Sequence, residues 1–194
     1  MNARLILASA SPQRAKLLEQ LGVAHVAHAA DIDETPQPGE SAGALAERLA
    51  RGKAQALAVH HPEQAVLGSD TVVALGDTLY GKPGDDGEAD TMLASLSGTI
   101  HRVVSGVALC VAGRCTSRIS VSEVTMRAIS AAERAAYIAS GEPIGKAGGY
   151  AIQGRGAIFI ARLDGSYSSV MGLPLYETAA LLAEAGFDVL GTRP

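Results

Sequence analysis

Two acidic residues, Glu34 and Asp70, are candidates for binding a metal ion or acting on a phosphate group. Asp70 interrupts the apolar run 66–73, where an ionised carboxylate is costly unless a cation or a metal pairs with it. The alternative is an edge-strand aspartate that accepts backbone N–H groups. Glu34 lies in the acidic segment 31–35, which composition alone interprets as solvated surface. Lys82 follows a predicted hairpin that starts at Asp70, so strand pairing is expected to return its ammonium close to that carboxylate.

The beginning of the chain predicts an anion site at a helix N-terminus. A strand is expected over 5–8, followed by the small turn Ser9-Ala10-Ser11 and by Pro12 at the first helical position, with Ser11 as the N-cap. Such a turn presents backbone N–H groups and the positive end of the helix dipole. Arg14, one turn into the helix, adds a guanidinium whose fork geometry suits phosphate.

The rest of the pattern alternates strands and helices. The predicted strands are 23–29, 65–75, 78–80, 101–111, 115–127 and 157–163, and further helices are predicted at 41–59, 88–96, from Ser130 to a stop at Gly141, and 174–185. Lys53, within the second helix, is interpreted from its position as a surface charge. The alternation, with hairpins between some strands, predicts an α/β fold with a mixed sheet flanked by helices. Because no linker interrupts it, we expect a single domain over 1–194.

Composition excludes several classes of protein. Among 194 residues, 47% are hydrophobic and 19% charged, which is atypical of a disordered chain. No apolar run reaches the roughly 18 to 20 residues that a membrane helix needs, and the apolar run at the N-terminus is too short for an export signal. The net charge of −4 and an aromatic content of 4% argue against nucleic-acid partners, which require many cations or stacking platforms.

The two cysteines predict neither a disulfide framework nor a structural zinc site. Cys110 and Cys115 flank a hairpin turn expected at Ala112-Gly113-Arg114, and they are interpreted as small buried residues in a reducing compartment. The segment 141–147 is one residue too short between its glycines for a phosphate-binding P-loop and has Ala147 where a hydroxyl must hold Mg²⁺.

Several long motifs together resemble the Maf family of septum-formation-inhibitor-like nucleoside triphosphate pyrophosphatases. The resemblance runs through almost the whole chain in order. The motifs are SASPQR at 9–14, GSDTVV at 68–73, GKP at 81–83, LSGTIH at 96–101, KAGGYAIQG at 146–154 and GSYSSVMGLPL at 165–175. Motifs of this length in this order are not expected by chance.

The resemblance implies a twisted sheet with two lobes around a central cleft, and a homodimer in the cytoplasm. It implies hydrolysis between the α and β phosphates of a nucleoside triphosphate with a divalent cation, Mg²⁺ or Mn²⁺. By resemblance, Asp70 matches the proton acceptor that activates water, and Glu34 matches an acidic position that helps to hold the metal. The polar and cationic positions that line the phosphate site are matched by Ser9, Ser11, Arg14, Lys53 and Lys82. Asp70 could instead act mainly as a metal ligand that orients water, because a metal-bound carboxylate is a poor base.

Three positions relate the chain to a branch of the family. Thr71 and Gln153 match the branch that acts on dTTP and UTP, whereas the 7-methyl-GTP branch usually carries Gln and Glu there. Gln13 departs from the Arg of the first branch and from the Trp of the second. The amide of Gln153 can both donate to and accept from a pyrimidine edge. The resemblance therefore predicts a dTTP/UTP pyrophosphatase, with roles in division arrest and in excluding modified nucleotides. The alternatives are a 7-methyl-GTP pyrophosphatase and a non-catalytic, nucleotide-binding regulator of septum formation.

Overall fold

The predicted strand, turn and helix open the fold. In the computed structural model, which describes residues 5–190, strand β1 (Leu5–Ala8) leads into helix α1 (Pro12–Gln20). The N-cap Ser11 Oγ accepts the Arg14 N–H at 3.5 Å, as expected for a capped helix start. The ends of the predicted 1–194 domain lie outside the described residues.

The remaining elements follow the predicted alternation, with shifts at several boundaries. The strands are β2 (His25–His28), β3 (Val66–Leu75), β4 (Thr78–Tyr80), β5 (Ile100–Val111), β6 (Arg114–Met126) and β7 (Ile160–Asp164). The helices are α2 (Ala42–Ala58), α3 (Asp86–Leu96), α4 (Ala131–Ile138), α5 (Tyr167–Met171) and α6 (Leu175–Glu184). Two short 3₁₀ helices lie at Ala147–Gly149 and Arg155–Phe159.

The strands of the described chain form one mixed sheet of seven, which confirms the α/β prediction. The order is β2-β1-β3-β5-β6-β7, and β4 pairs with β3. β1 runs parallel to β2 and β3, whereas the hairpins of β3 with β4 and of β5 with β6 are antiparallel. β3 pairs with β5 over residues 66–74, and its other side pairs with β1 at 66–67 and with β4 at 73–75. Asp70 lies between these two short pairings and, among the described strands, has a partner only in β5, so its place in the sheet does not by itself decide between the two interpretations of this residue.

Helix α2 lies unusually close to the centre of the sheet because glycines and alanines meet there. A Cβ atom at Gly68 of β3 would overlap the carbonyl oxygen of Ala50, and one at Gly106 of β5 would overlap that of Ala46. The helix presents small residues to these two strands, since Ala46, Ala50 and Ala54 are fully buried. The close approach brings the side chains of α2 within reach of β3.

Two of the boundary shifts and one unpredicted helix have a physical reason. Residues 157–159, predicted as the start of a strand, belong to the 3₁₀ helix Arg155–Phe159, and β7 begins at Ile160. α3 begins at Asp86 rather than at Glu88, because Asp85 caps it by accepting the N–H of Glu88 at 2.8 Å. The helix α5 was not predicted, since five residues offer too little periodicity to show an apolar face.

The prediction for the cysteines is wrong in one respect. Cys110 is buried as expected, but Cys110 and Cys115 are joined by a disulfide across β5 and β6, where they are register partners. The turn of this hairpin is Ala112-Gly113, both with positive φ, and not the predicted three residues. The cysteines therefore no longer argue for a reducing compartment.

Two large apolar clusters lie in the core. One is built around β1, α1 and α6, and the other around α3, α4 and parts of β5 and β6. A cavity is lined by Val73 and Val103 of the second cluster and by Leu45 and Leu49 of a smaller cluster between α2 and the sheet. Among residues 5–190, no helix is both long and apolar enough to cross a bilayer.

Candidate active site

The centre of the site is a lysine between two carboxylates. Lys53 Nζ lies 2.6 Å from Asp70 Oδ1 and 2.7 Å from Glu34 Oε1. The side chains of Lys53 and Asp70 are only 6% and 8% exposed, so this ion pair is screened little by water. Lys82 Nζ lies 3.7 Å from the other oxygen of Glu34. The interpretation of Lys53 as a helix-surface charge is therefore wrong, because α2 places it against β3.

The electrostatics of the cluster keep Glu34 ionised. Partial burial alone would raise the pKa of Glu34, but the hydrogen bond and the charge of Lys53 outweigh it, with smaller contributions from Lys82 and Arg14. The net result is a pKa of Glu34 below its usual range. Asp70 uses one oxygen for Lys53, and within residues 5–190 its second oxygen has no recorded bond. That oxygen is available to accept from a water or a ligand.

The predicted anion turn stands at the mouth of the same cavity. Ser9 Oγ accepts the Ser11 N–H at 3.1 Å and an Arg14 Nη1–H at 3.3 Å. Arg14 also donates from Nε to the carbonyl oxygen of Gly172 at 2.9 Å. Burial lowers the pKa of Arg14, but the nearby charges of Asp70 and Glu34 oppose the shift. A guanidinium remains protonated at neutral pH, so the turn carries a fixed positive charge.

The segment after α5 orients Arg14, a role that residue patterns did not reveal. The carbonyl oxygen of Gly172 lies 3.0 Å from Ser69 Oγ as well as accepting from Arg14. Gly172 has a φ of 121°, a conformation that side chains rarely adopt. The resemblance motif at 165–175 was the only sequence signal for this segment.

Three further polar residues line the cavity, namely Gln13, Thr71 and Gln153. Thr71 Oγ1 lies 2.8 Å from Ser105 Oγ, which in turn donates to the carbonyl oxygen of Ser169 at 2.7 Å. The side chains of Gln13 and Gln153 line the cavity and have no recorded hydrogen bond to the described residues. Their amides are therefore free to recognise a ligand.

The cavity has a volume of about 750 Å³ and carries an excess of positive charge. This volume lies within the range of small-molecule sites, roughly 300 to 1,000 Å³. Its lining includes the carboxylates of Glu34 and Asp70, and it includes the four cationic side chains of Arg14, Lys53, Lys82 and Lys146. Two more cations than carboxylates suit a polyanion.

Lys146 is a cavity residue that sequence reasoning did not single out. Its Nζ has one recorded bond, to the carbonyl oxygen of Ile144 at 3.5 Å, and no carboxylate of the described residues pairs with it. The N–H of Gly148 donates to the carbonyl oxygen of Gly81 at 3.0 Å, which ties this segment next to Lys82. The motif KAGGYAIQG contains Lys146, but only the fold shows that it faces the same cavity as Lys82.

Known proteins resemble the chain over nearly its full length. The family described as Maf-like protein matches residues 4–185. The dTTP/UTP pyrophosphatase of Myxococcus xanthus is 54% identical over 186 residues, which cover 95% of this chain and 94% of the relative. The dTTP/UTP pyrophosphatases of Chromobacterium violaceum and Cupriavidus metallidurans are 45% and 48% identical, and each alignment covers at least 96% of both proteins.

The chain belongs to the Maf family. Each of the ten positions carried over from the Maf resemblance lines this one cavity. These residues are Ser9, Ser11, Gln13, Arg14, Glu34, Lys53, Asp70, Thr71, Lys82 and Gln153. Residues from the turn after β1, from α1, α2 and β3, and from the loops after β2, β4 and α4 therefore meet in one place.

The donor set of this Maf protein fits a divalent cation that arrives with its substrate. Within residues 5–190, no group of three or more His, Cys, Asp or Glu side chains could hold a metal alone. Glu34 and Asp70 do lie on either side of one nitrogen, each within 2.7 Å of it. Mg²⁺ commonly takes one or two carboxylates and completes its shell with substrate phosphates and water. These two residues fit that pattern.

Proposed function

We propose that this Maf protein is a nucleoside triphosphate pyrophosphatase that cleaves between the α and β phosphates of dTTP and UTP. The observation that carries the proposal is the convergence of Glu34, Lys53 and Asp70 in the lining of a cation-lined cavity. The names of relatives that are 45–54% identical support the choice of reaction. The products are the nucleoside monophosphate and pyrophosphate.

The protein's own groups supply positioning and charge neutralisation, which dominate phosphoryl transfer. Arg14, the Ala10 N–H and the hydroxyls of Ser9 and Ser11 bind phosphate oxygens at the start of α1, because the N–H groups of Ser9 and Ser11 already bond within the turn. Lys82, in the loop after β4, and Lys146, in the loop after α4, also line the cavity. They offset the negative charge of the leaving pyrophosphate. Lys53 holds the carboxylates of Glu34 and Asp70 at fixed positions.

Asp70 is proposed to act on the attacking water. Its second oxygen accepts a proton of that water and directs the lone pair of the water oxygen to the phosphorus. Glu34 and Asp70 would hold Mg²⁺ or Mn²⁺, which supplies neutralisation of phosphate charge when bound. Lys53 then balances the negative charge of whichever carboxylate is not engaged by the metal.

The choice of nucleobase is assigned to the polar lining residues Gln13, Thr71 and Gln153. Gln153 offers one donor and one acceptor to the edge of uracil or thymine. A cationic methylated guanine would instead favour a carboxylate at this position, so Gln153 disfavours the 7-methyl-GTP alternative. Gln13 lies within the same lining and contributes a neutral amide where the dTTP/UTP branch usually has a charge.

Four further features are proposed from the family resemblance. The chain acts as a single domain over 1–194, as a homodimer, in the cytoplasm. Its roles would be the exclusion of modified nucleotides and division arrest. None of these features is needed for the cleavage step, because the proposed catalytic groups come from one chain.

Release of pyrophosphate by the purified protein tests the reaction. With Mg²⁺ or Mn²⁺, release from UTP and dTTP should exceed release from CTP, ATP and 7-methyl-GTP. Asp70→Asn should lower kcat about a hundredfold or more, the usual contribution of a general base, while nucleotide binding is retained. Asp77→Asn, in the exposed turn between β3 and β4, is the matched control and should leave kcat unchanged.

The outcomes separate the alternatives. Faster release from 7-methyl-GTP than from UTP would replace the substrate assignment within the family. Nucleotide binding without pyrophosphate release from any nucleotide would favour the non-catalytic regulator. Against that alternative stand two intact carboxylates and four cations at the cavity, groups that a degenerate site would have lost in part.

A further inference from the structure

The loop that carries Gln153 lies outside any strand or long helix. It runs from Tyr150 to the 3₁₀ helix Arg155–Phe159, and Gln153 is only partly buried at the cavity wall. A free side-chain amide recognises a ligand well only if its backbone is held in place. Contacts outside the cavity must therefore hold this loop.

Glu142 supplies most of these contacts. Its Oε1 accepts the Tyr137 hydroxyl at 2.7 Å and the Gly156 N–H at 2.9 Å. Its Oε2 accepts the Arg155 N–H at 2.9 Å. One carboxylate thus binds two successive backbone N–H groups, located two and three residues after Gln153.

Tyr137 extends the same network to the other side of Gln153. Its hydroxyl oxygen accepts the Ala151 N–H at 3.1 Å while the hydroxyl donates to Glu142. Tyr137 is buried in the last turn of α4, where its ring meets Phe159 edge-on at 5.2 Å. The loop is therefore tied to α4 two residues before Gln153, and to Glu142 after it.

The carboxylate of Glu142 also fills the space beside the residue that follows Gln153. A Cβ atom at Gly154 would lie within 2.6 Å of Glu142 Oε1 and 2.5 Å of its carboxyl carbon. The φ of Gly154 is −115°, so close contact rather than backbone conformation favours glycine here. The Glu142 carboxylate and the loop are in direct contact at this point.

Glu142 is suited to this role as a carboxylate and not as an amide. Burial alone would raise the pKa of Glu142, but the N–H groups of Gly156 and Arg155 and the Tyr137 hydroxyl outweigh it and lower the pKa. An ionised carboxylate has two acceptor oxygens for its three donors. A glutamine would lose one acceptor and turn an NH₂ group toward a backbone N–H.

We propose that Glu142 is a positioning residue that holds Gln153 in place to bind the base of a pyrimidine nucleotide. This inference rests on the proposed function and assigns base recognition to a network outside the cavity. Glu142 does not line the cavity, and its contacts do not include Lys53, Asp70 or Arg14. Its loss is therefore expected to weaken binding of the base and to leave binding of phosphate groups intact.

Binding of the two products separates these effects. UMP carries the base, whereas pyrophosphate carries only the phosphate part, and neither measurement needs turnover. By calorimetry, Glu142→Gln should raise the Kd of UMP about fivefold, the worth of roughly one hydrogen bond, and change the Kd of pyrophosphate less than twofold. Tyr137→Phe should act in the same direction, and it serves as the second variant if Glu142→Gln does not fold.

A double-mutant cycle with Gln153→Ala decides whether Glu142 acts through Gln153. With the amide removed, Glu142→Gln or Tyr137→Phe should change the Kd of UMP little further. Glu184→Gln is the matched control, since this exposed carboxylate of α6 accepts a hydrogen bond from Arg118 of β6 and, within residues 5–190, has no recorded bond to the loop. It should leave both Kd values unchanged.

Three results bear on the inference. An equal loss of UMP affinity with and without Gln153, or a parallel loss of pyrophosphate affinity, would overturn it. The expected cycle would support it even if the wild-type protein released no pyrophosphate from UTP or dTTP, a result that would remove the proposed function alone. If the wild-type protein turned over UTP and the losses of UMP affinity in Glu142→Gln and Gln153→Ala were additive, the proposed function would stand and the positioning role of Glu142 would be rejected.

Discussion

At the scale of single residues, the site depends on a buried lysine that balances two carboxylates. Lys53 is 4% exposed, and its ammonium satisfies both Asp70 and Glu34. Such a group has two consequences. It fixes the acids that are proposed to act on water and metal, and it stabilises the fold only while its partners are charged.

Lys53→Met tests this dependence, because methionine keeps the length and removes the charge. An unpaired carboxylate at Asp70 should lower the free energy of unfolding by about 3 kcal/mol, as when one partner of a buried pair is removed. Lys53→Met combined with Asp70→Asn should recover much of the loss, since the buried charge has then gone. Urea unfolding measures both, with the exposed Lys16→Met as control; a double variant less stable than Lys53→Met would refute this account.

At the scale of elements, the closeness of α2 to the sheet sets the geometry of the site. Lys53 reaches Asp70 because α2 rests on Gly68 and Gly106 with alanines between. Gly68 lies two residues before Asp70 on β3, and Ala54 follows Lys53 on α2. The contact that brings the helix close is therefore next to the residues that it positions.

Gly68→Ala should force α2 away from β3. The added methyl would meet the Ala50 carbonyl oxygen and lie 2.7 Å from the Ala54 nitrogen, and overpacking of this kind costs about 1–3 kcal/mol. Turnover should fall with stability, because the Lys53–Asp70 pair lengthens.

The matched control for Gly68→Ala is on α2 itself. At Gly43 an added methyl makes only an ordinary contact, 3.9 Å from Ile119 Cδ1. Alanine there should raise stability by up to about 1 kcal/mol, since it favours the helix more than glycine does. Urea unfolding and pyrophosphate release compare the two variants, and equal effects would contradict the role given to the glycine contact.

Most elements were predictable because their signals are local. The strand–turn–helix at the start, the helix that begins at Ser130, and the hairpin between the strands predicted at 65–75 and 78–80 all agree with the structure. The burial of Lys53 was not predictable from helix position, since it depends on a partner in another element. The helix α5 and the 3₁₀ start of β7 lack any periodicity.

The disulfide was missed because the predicted hairpin turn was one residue too long. A two-residue turn at Ala112-Gly113 places Cys110 opposite Cys115, whereas the predicted three-residue turn would place Cys110 opposite Thr116. Strand register depends on turn length, so a shift of one residue hid the pair. Asp70, Lys82 and Arg14 were singled out from residue types and spacing, and the resemblance assigned them and the other candidate residues to one site. Lys146, Glu142 and Gly172 needed the fold.

At the scale of the whole molecule, the wall between the cavity and one apolar cluster contains a buried histidine. His101 is 1% exposed, and its Nε2 lies 2.8 Å from the hydroxyl of Tyr150, which lines the cavity. Within residues 5–190, its Nδ1 has no hydrogen-bond partner. Burial lowers the pKa of His101 to about 4, so the native protein holds this ring neutral.

The stability of the whole molecule should therefore fall in mild acid. An unfolded histidine has a pKa near 6.5, whereas the pKa of His101 in the native protein is about 4. Between these two pH values the unfolded chain therefore binds a proton that the native protein does not bind. Stability is complete above the unfolded pKa and decreases as the pH falls from 6.5 toward 4. Between pH 7.5 and pH 5 the linkage relation gives a loss of about 2 kcal/mol.

His101→Gln should remove this dependence, because the amide can still bond to Tyr150 but does not titrate. Urea unfolding at pH 7.5 and pH 5 would then give nearly equal free energies for His101→Gln, whereas wild type loses about 2 kcal/mol. His60→Gln changes an exposed histidine outside the core and should retain the wild-type loss. If His101→Gln lost as much stability at pH 5 as wild type, another group would be responsible. In that case, the loss of stability between pH 7.5 and pH 5 would not come from His101.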